Sequence, residues 1–187
     1  MNIIIFGPPG AGKGTQAKHL VKKLNSFQIS TGDMLREEIN KDTEIGKKII
    51  NNMNEGKFVE DEIVNKLLEN IIFDTTKMNK LIFDGYPRTI SQAKNLESLL
   101  NKSNQKLDYI FFLNVNKDSI LARIEKRKII EKRLDDDSNT ILKRYDTYME
   151  VTKPVLDFYS SRNNFYEIDG SAEIKVISSK IEEILRV

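Results

Sequence analysis

Short apolar runs alternate along the chain with longer segments in which apolar residues recur every three or four positions. The runs fit strands buried on both faces, and they lie at 3–6, 27–29, 80–84, 109–115 and 165–168. Segment 14–24 has the helical period, since Ala17, Leu20, Val21 and Leu24 fall on one face. Strands that alternate with helices predict an α/β fold, with a parallel five-stranded sheet flanked by helices on both faces. Residues 30–59 insert helical material between the second strand and a long helix for which Asp61 is the predicted N-cap, which suits a small flap.

Composition limits the possible classes of function. The chain is 39% hydrophobic and 31% charged, which is typical of an ordinary globular domain. Its net charge of only +2 gives little reason to expect binding to nucleic acid or to a membrane. The absence of cysteine excludes disulfides and a cysteine-bound zinc site. No apolar run reaches membrane-spanning length, and the first residues lead straight into a strand, so we expect a cytoplasmic protein without a targeting peptide.

The segment GPPGAGKGT at 7–15 follows a strand and opens a helix, which is the context of a phosphate-binding P-loop. Its glycines let backbone N–H groups face phosphate oxygens, and the helix N-terminus adds partial positive charge. We expect Lys13 on the β- and γ-phosphates and the Thr15 hydroxyl near bound Mg²⁺, although Gly14 stands where Ser or Thr is usual. The alternative is a glycine-rich turn that binds nothing. The predicted residues for binding a nucleoside triphosphate are Gly10, Ala11, Gly12, Lys13, Gly14 and Thr15.

The third predicted strand ends in a carboxylate, Asp84. An acid at the carboxyl end of a buried strand in a P-loop protein usually faces the magnesium of the nucleotide, directly or through water. The alternative is a simple helix cap. We expect Asp84 and Thr15 to contribute to a Mg²⁺ site.

Arginine is scarce in this lysine-rich chain, and six of its eight arginines fall in candidate ligand-binding stretches. A guanidinium binds phosphate through a rigid two-pronged fork, which an ammonium does not offer. Chance placement on solvated helix faces remains the alternative for any single one. The six are Arg36, Arg88, Arg123, Arg127, Arg133 and Arg144.

Several separated motifs, in this order, resemble the nucleoside monophosphate kinases, and among them the adenylate kinase family. They are GPPGAGKGT at 7–15, STGDMLR at 30–36, EGKFV at 55–59, DGYPRTISQA at 84–93, Arg123 with Arg127, and RLDD at 133–136 with Arg144. The resemblance spans essentially the whole chain. It implies reversible transfer of a phosphoryl group from ATP to AMP, giving two ADP, with Mg²⁺ as cofactor. No long apolar stripe is left for an interface, so we expect a monomer.

The resemblance also implies residue roles. ATP would be held by Gly10–Thr15, Arg123, Arg127 and the backbone around Ala172. AMP would be held by Thr31, Arg36, Lys57, Phe58, Val59, Gly85, Tyr86, Pro87, Arg88 and Gln92, with Arg133 and Arg144 bracketing the transferred phosphoryl group. The catalytic residues would be Lys13, Arg88, Arg123, Arg133 and Arg144.

Phosphoryl transfer requires positioning and charge cancellation rather than covalent chemistry by the protein. The phosphate of AMP is largely ionised at pH 7, with a second pKa of about 6, so no general base is needed. ATP must be kept from water, and we therefore expect mobile flaps over both nucleotides. The chain is predicted as one domain, with core 1–29, 60–127 and 138–187, a flap for the monophosphate at 30–59 and a short lid at 128–137. Unlike usual short lids, 128–132 contains no glycine, although the arginine spacing is kept.

Two alternatives stay open. A UMP/CMP kinase is the nearest, and Thr152-Lys153-Pro154 would suit it. Thr31 and Gln92 favour AMP, since relatives specific for pyrimidines tend to carry a smaller residue than Thr31, and an amide can pair with the edge of adenine. A nucleotide-dependent switch or nucleic-acid-binding module on a P-loop is the other, supported weakly by a sequence pI near 8.6.

Overall fold

The computed structural model describes residues 1–131 and 138–187. Within these ranges it describes every side chain except those of residues 125–131, 138–139 and 141. The strands are β1 Ile3–Phe6, β2 Phe27–Ser30, β3 Leu81–Asp84, β4 Tyr109–Asn114 and β5 Phe165–Asp169. Within the described chain they form one parallel five-stranded sheet, in the order β2-β3-β1-β4-β5. The predicted sheet is therefore confirmed.

The helices lie between and beyond the strands, as the sequence pattern predicts. They are α1 Lys13–Leu24, α2 Thr31–Asn40, α3 Glu44–Asn54, α4 Asp61–Ile72, α5 Ile90–Lys102, α6 Lys117–Glu131, α7 Ser138–Thr147, α8 Lys153–Ser160 and α9 Ile174–Leu185. A π-helical turn at Tyr148–Thr152 joins α7 to α8. Pro154 lies in the first turn of α8, at the interruption that the sequence predicted. Of the described helices, none is both long and apolar enough to cross a bilayer.

The sheet separates two apolar clusters, because successive strand side chains point to opposite faces. Ile3 and Ile5 of β1 belong to the cluster that also holds residues of α1, α6 and α9. Ile4 and Phe6 belong to the other cluster, with residues of α4, α5 and α8. All of β1 is buried, so the strand that leads into the P-loop is packed against apolar residues on both faces of the sheet.

Two boundaries differ from the sequence prediction. α6 continues to Glu131, four residues beyond its predicted end near Arg127, because no glycine or proline stops it. The first residues of the predicted lid are thus helical, and 132–137 lie outside the described residues. Asp61 is the first residue of α4 rather than its cap, since Glu60 is the N-cap and makes no side-chain cap bond.

The segment 30–59 contains α2 and α3, which pack on each other at Gly46. A Cβ at this position would lie 2.2 Å from the carbonyl oxygen of Glu38 and 2.9 Å from Cα of Ile39. These are backbone atoms, so a larger side chain would have to push the two helices apart.

We therefore expect Gly46→Ala to lower the free energy of unfolding by about 1–3 kcal/mol, as overpacking does. Chemical denaturation of this variant and of Asn51→Ala, an exposed position on the same helix, would measure the difference. Equal stability of the two variants would contradict the close approach of α2 and α3.

Candidate active site

Two neighbouring clefts open at the carboxyl ends of the strands, where ligands of parallel α/β sheets bind. The larger, of about 530 Å³, is lined by the P-loop, Asp84, Arg123 and the start of α9. The smaller, of about 100 Å³, is lined by Leu35, by 56–59 and by the turn after β3. Each cleft is lined both by residues of the segment 30–59 and by residues outside that segment.

The P-loop leaves the first turn of α1 available to an anion. Gly12 is the N-cap of this helix, with φ +92°, and contributes no side-chain cap bond. A Cβ at Gly12 would meet nothing within 4 Å, so this part of the loop faces open space. Lys13 Nζ donates to the carbonyl oxygens of Gly7 and Pro8 at 2.8 and 2.9 Å, which holds its ammonium at the mouth of the loop. Uncapped N–H groups beside a cation suit a polyphosphate.

Gly14, the departure from the usual motif, lies against Asp84. A Cβ at this position would lie 3.2 Å from Oδ2 of Asp84, so a larger side chain would crowd the carboxylate. The same oxygen accepts a hydrogen bond from Nε2 of Gln28 at 3.0 Å. Tertiary structure thus supplies a reason for glycine here that the sequence did not reveal.

Asp84 and Thr15 line the larger cleft together, as the predicted metal role requires. Among the described residues, no group of three or more His, Cys, Asp or Glu side chains could hold a metal alone. Mg²⁺ commonly takes one or two carboxylates, keeps several waters and completes its octahedron with substrate phosphates. One carboxylate and one exposed hydroxyl that line the same cleft fit a Mg²⁺ that would arrive with a nucleotide.

Cations concentrate on the wall between the clefts. Among the described residues, the charged side chains that line both clefts are all basic: Lys13, Arg36, Arg88 and Arg144. They come from α1, α2, the turn after β3 and α7, so only the folded chain brings them together. A shared cationic wall would stabilise negative charge passing from one cleft to the other.

The described structure fixes each arginine of this wall differently. Nη2 of Arg36 donates to Oδ1 of Asp33 in the first turn of α2. Nε of Arg88 donates to the carbonyl oxygen of Gly85 at 2.7 Å, and its guanidinium lies 5.4 Å from the ring centre of Phe58. Arg144 projects from α7 towards the bend after α3, where a Cβ on Gly56 would lie 3.0 Å from its Cγ.

Of the three other predicted arginines, only Arg123 has a described side chain. Nη1 of Arg123 donates to the carbonyl oxygen of Ala11 at 3.4 Å, and Nη2 donates to those of Ser171 at 3.2 Å and Ala172 at 3.5 Å. Arg123 therefore links the P-loop to the segment predicted to contact adenine. The side chain of Arg127 and all of Arg133 lie outside the described residues.

The smaller cleft is lined by five of the residues predicted to bind AMP: Lys57, Phe58, Val59, Gly85 and Pro87. Thr31 and Gln92, the predicted specificity residues, are only 4% and 3% exposed and lie behind its lining. The Thr31 hydroxyl donates to the carbonyl oxygen of Gly85 at 2.9 Å. Both ends of the Gln92 amide also have protein partners, and no sequence motif predicts these two bonds.

Known proteins resemble the whole of this chain. The adenylate kinase family model matches residues 5–164. The adenylate kinase of Pelagibacter ubique is 48% identical, with 100% of both chains covered. That of Bartonella henselae is 42% identical, also with 100% of both covered, and that of Mycoplasma mycoides is 40% identical over 92% of this chain and 94% of its own. This chain belongs to the adenylate kinase family.

Membership of the adenylate kinase family confirms the resemblance read from the motifs. It also confirms the α/β P-loop fold and the enzyme class, a phosphotransferase. The UMP/CMP kinase alternative is not favoured, because the relatives are named adenylate kinases.

Tyr86, another predicted site residue, lies in the apolar core. Its side chain is 1% exposed and belongs to the core, and it lines neither cleft. The hydroxyl donates to Oδ1 of Asn65 at 2.8 Å and to the carbonyl oxygen of Gln92 at 3.2 Å. Burial raises the pKa of Tyr86 to about 12. The contact of Tyr86 with AMP that the resemblance implies stays a prediction, and the buried side chain leaves the backbone as the part of the residue that could make it.

Four further residues of this adenylate kinase family member line the clefts, although no motif predicts them as binding residues. Tyr148 and Thr152, from the π-helical turn, line the smaller cleft, and neither buried hydroxyl has a partner in the described structure. Ile174 and Ile177 of α9 line the larger cleft beside the predicted Ala172 segment. Ile177 also belongs to the apolar cluster with α1 and α6, and no local signal predicts a π-helical turn.

Proposed function

We propose that this chain catalyses reversible transfer of the γ-phosphoryl group of ATP to AMP, giving two ADP. The observation that carries the proposal is the cationic wall of Lys13, Arg36, Arg88 and Arg144 shared by two clefts. Two nucleotides whose phosphates meet at that wall would have their reacting groups side by side. The family assignment favours adenine nucleotides in both clefts.

In this proposal the larger cleft takes ATP. The N–H groups of Gly10–Thr15 hold its phosphates, Lys13 bridges the β- and γ-phosphates, and Arg123 joins them from α6. The Ala172 backbone and the neighbouring Ile174 would flank the base. Arg127 would support the same nucleotide.

The smaller cleft takes AMP in the same proposal. Its phosphate faces Arg36 and Arg88, and the backbone of 57–59 and Gly85 lines the path of the nucleoside. Thr31 and Gln92 would complete the wall around adenine. Arg133 and Arg144 would bracket the group in transfer.

The chemical step needs no protein base. A phosphate oxygen of AMP forms a bond to the γ-phosphorus, the bond from that phosphorus to the β,γ-bridging oxygen breaks, and ADP leaves with that electron pair. Negative charge spreads over the equatorial oxygens, where guanidinium and ammonium groups stabilise it. Mg²⁺, when bound with ATP near Asp84 and Thr15, would neutralise charge on the β- and γ-oxygens.

The flap at 30–59 and the lid at 128–137 are proposed to close over AMP and ATP and exclude water. The described flap residues already line the smaller cleft, which supports that part. A monomer that acts in the cytoplasm completes the proposal.

The test is a coupled assay with Mg–ATP and AMP, UMP, CMP or GMP in turn. Preference for AMP by about tenfold or more is expected, because a polar site rejects bases that leave its groups unpaired. Preference for UMP or CMP would overturn the acceptor and keep the mechanism. No transfer to any monophosphate would overturn the proposed function.

A further inference from the structure

Gln92 at the start of α5 is held by one partner at each end of its amide. Oε1 accepts a hydrogen bond from the backbone N–H of Arg88 at 2.7 Å. Nε2 donates to Oδ1 of Asp61 at 2.7 Å. A backbone N–H can only donate and an ionised carboxylate can only accept, so these partners determine which end of the amide is oxygen.

The same contacts leave half of the amide's bonding capacity unused. A primary amide has two N–H donors and two acceptor lone pairs, and one of each is engaged among the described residues. What remains is one donor and one acceptor. Adenine offers the complement, an acceptor at N1 and a donor at its 6-amino group, whereas hypoxanthine offers a donor at N1 and an acceptor at its 6-oxygen.

We propose that Asp61 is a positioning residue for recognition of the acceptor base. It holds the Gln92 amide in the orientation that matches adenine and opposes the inverted orientation that would match hypoxanthine. This inference rests on the proposed function, in which Gln92 reads the base of AMP.

Asp61 is itself well placed for this task. Its second oxygen, Oδ2, accepts a hydrogen bond from the hydroxyl of Thr89 at 2.7 Å. That hydroxyl in turn accepts from the backbone N–H of Gln92 at 3.0 Å, as the N-cap of α5. The carboxylate therefore ties the first turn of α4, two residues after Val59 of the smaller cleft, to both Gln92 and its helix cap.

The test compares kcat/KM for AMP with kcat/KM for IMP, whose base is hypoxanthine, at saturating Mg–ATP. In Asp61→Ala we expect the preference for AMP to fall about tenfold. The loss should be partial, because the backbone N–H of Arg88 still opposes inversion of the Gln92 amide. The KM for AMP should rise while the KM for ATP stays unchanged. Asp61→Asn, which can still present an oxygen to Nε2, should restore most of the preference.

Glu62→Ala is the matched control, since Glu62 is an exposed carboxylate in the same first turn of α4. It removes the same charge from the helix N-terminus and should leave the AMP preference unchanged. Thermal unfolding of all variants separates stability from specificity. Equal loss of turnover with AMP and IMP in Asp61→Ala would indicate a structural role and overturn the inference.

Gln92→Ala separates this inference from the proposed function. If Gln92→Ala lowers the AMP preference and Asp61→Ala does not, the Asp61 inference fails and base reading by Gln92 stands. If Gln92→Ala leaves the preference unchanged, Gln92 does not read the base, and the inference about Asp61 fails with it. Transfer from ATP to AMP is measured in both cases, so the reaction is tested independently.

Discussion

Lys13→Met is expected to lower kcat for phosphoryl transfer by about 10²–10³-fold, the cost of removing one preorganised charge from the transition state. The ammonium is held at the mouth of the P-loop by the carbonyl oxygens of Gly7 and Pro8, and it faces both clefts. Methionine keeps the length and apolar stem of the side chain but cannot offset charge on the γ-phosphate. Steady-state kinetics with Mg–ATP and AMP measures the loss.

Lys22→Met is the control for this variant. Lys22 is exposed on the same helix and lines neither cleft, so the same substitution should leave kcat unchanged. Nearly native turnover by Lys13→Met, with intact folding by circular dichroism, would refute the proposed role of the lysine.

Arg88→Lys is expected to lower kcat/KM for AMP by about 10²–10³-fold although the charge is retained. Lysine cannot reproduce the bond from Nε to the Gly85 carbonyl, the stacking on Phe58 or the two-pronged contact with a phosphate. Because the larger cleft keeps Lys13 and Arg123, the KM for ATP should change little. Separate titrations of ATP and AMP measure the two effects.

Arg162→Lys is the matched control. Arg162 has a similarly placed guanidinium, bonded to Glu97 at 2.9 Å and stacked 4.7 Å from the ring centre of Tyr159, but it lines neither cleft. Its substitution should leave kcat/KM for AMP unchanged. If both variants behave alike, the guanidinium of Arg88 has no special part in phosphoryl transfer.

Much of the fold follows from local pattern. The fully apolar β1 run and the period of α1 predict a buried strand and a helix, because each side chain's face is set by backbone geometry alone. The P-loop can also be recognised from the sequence, because its glycines, its lysine and its flanking elements are contiguous in the chain. The number of strands and their parallel arrangement follow from strand and helix alternation.

Residue types also indicated the chemistry. The motifs predict Arg36, Arg88, Arg123 and Arg144 as ligand-binding residues, and each lines a cleft in the described structure. A guanidinium among lysines in a P-loop protein is informative because its planar fork suits phosphate. The sequence by itself therefore determined the fold class, the nucleotide loop and which basic residues to examine.

Tertiary structure alone decided how these parts meet. The closeness of Gly14 to Asp84, the burial of Tyr86 and the placement of Tyr148 on the smaller cleft join residues far apart in the chain. The engagement of Gln92 by Asp61 depends on packing of α4 against α5, which no local propensity encodes. Side-chain direction and hydrogen-bond partners arise from contacts between distant segments, and these exist only once the sheet and helices have assembled.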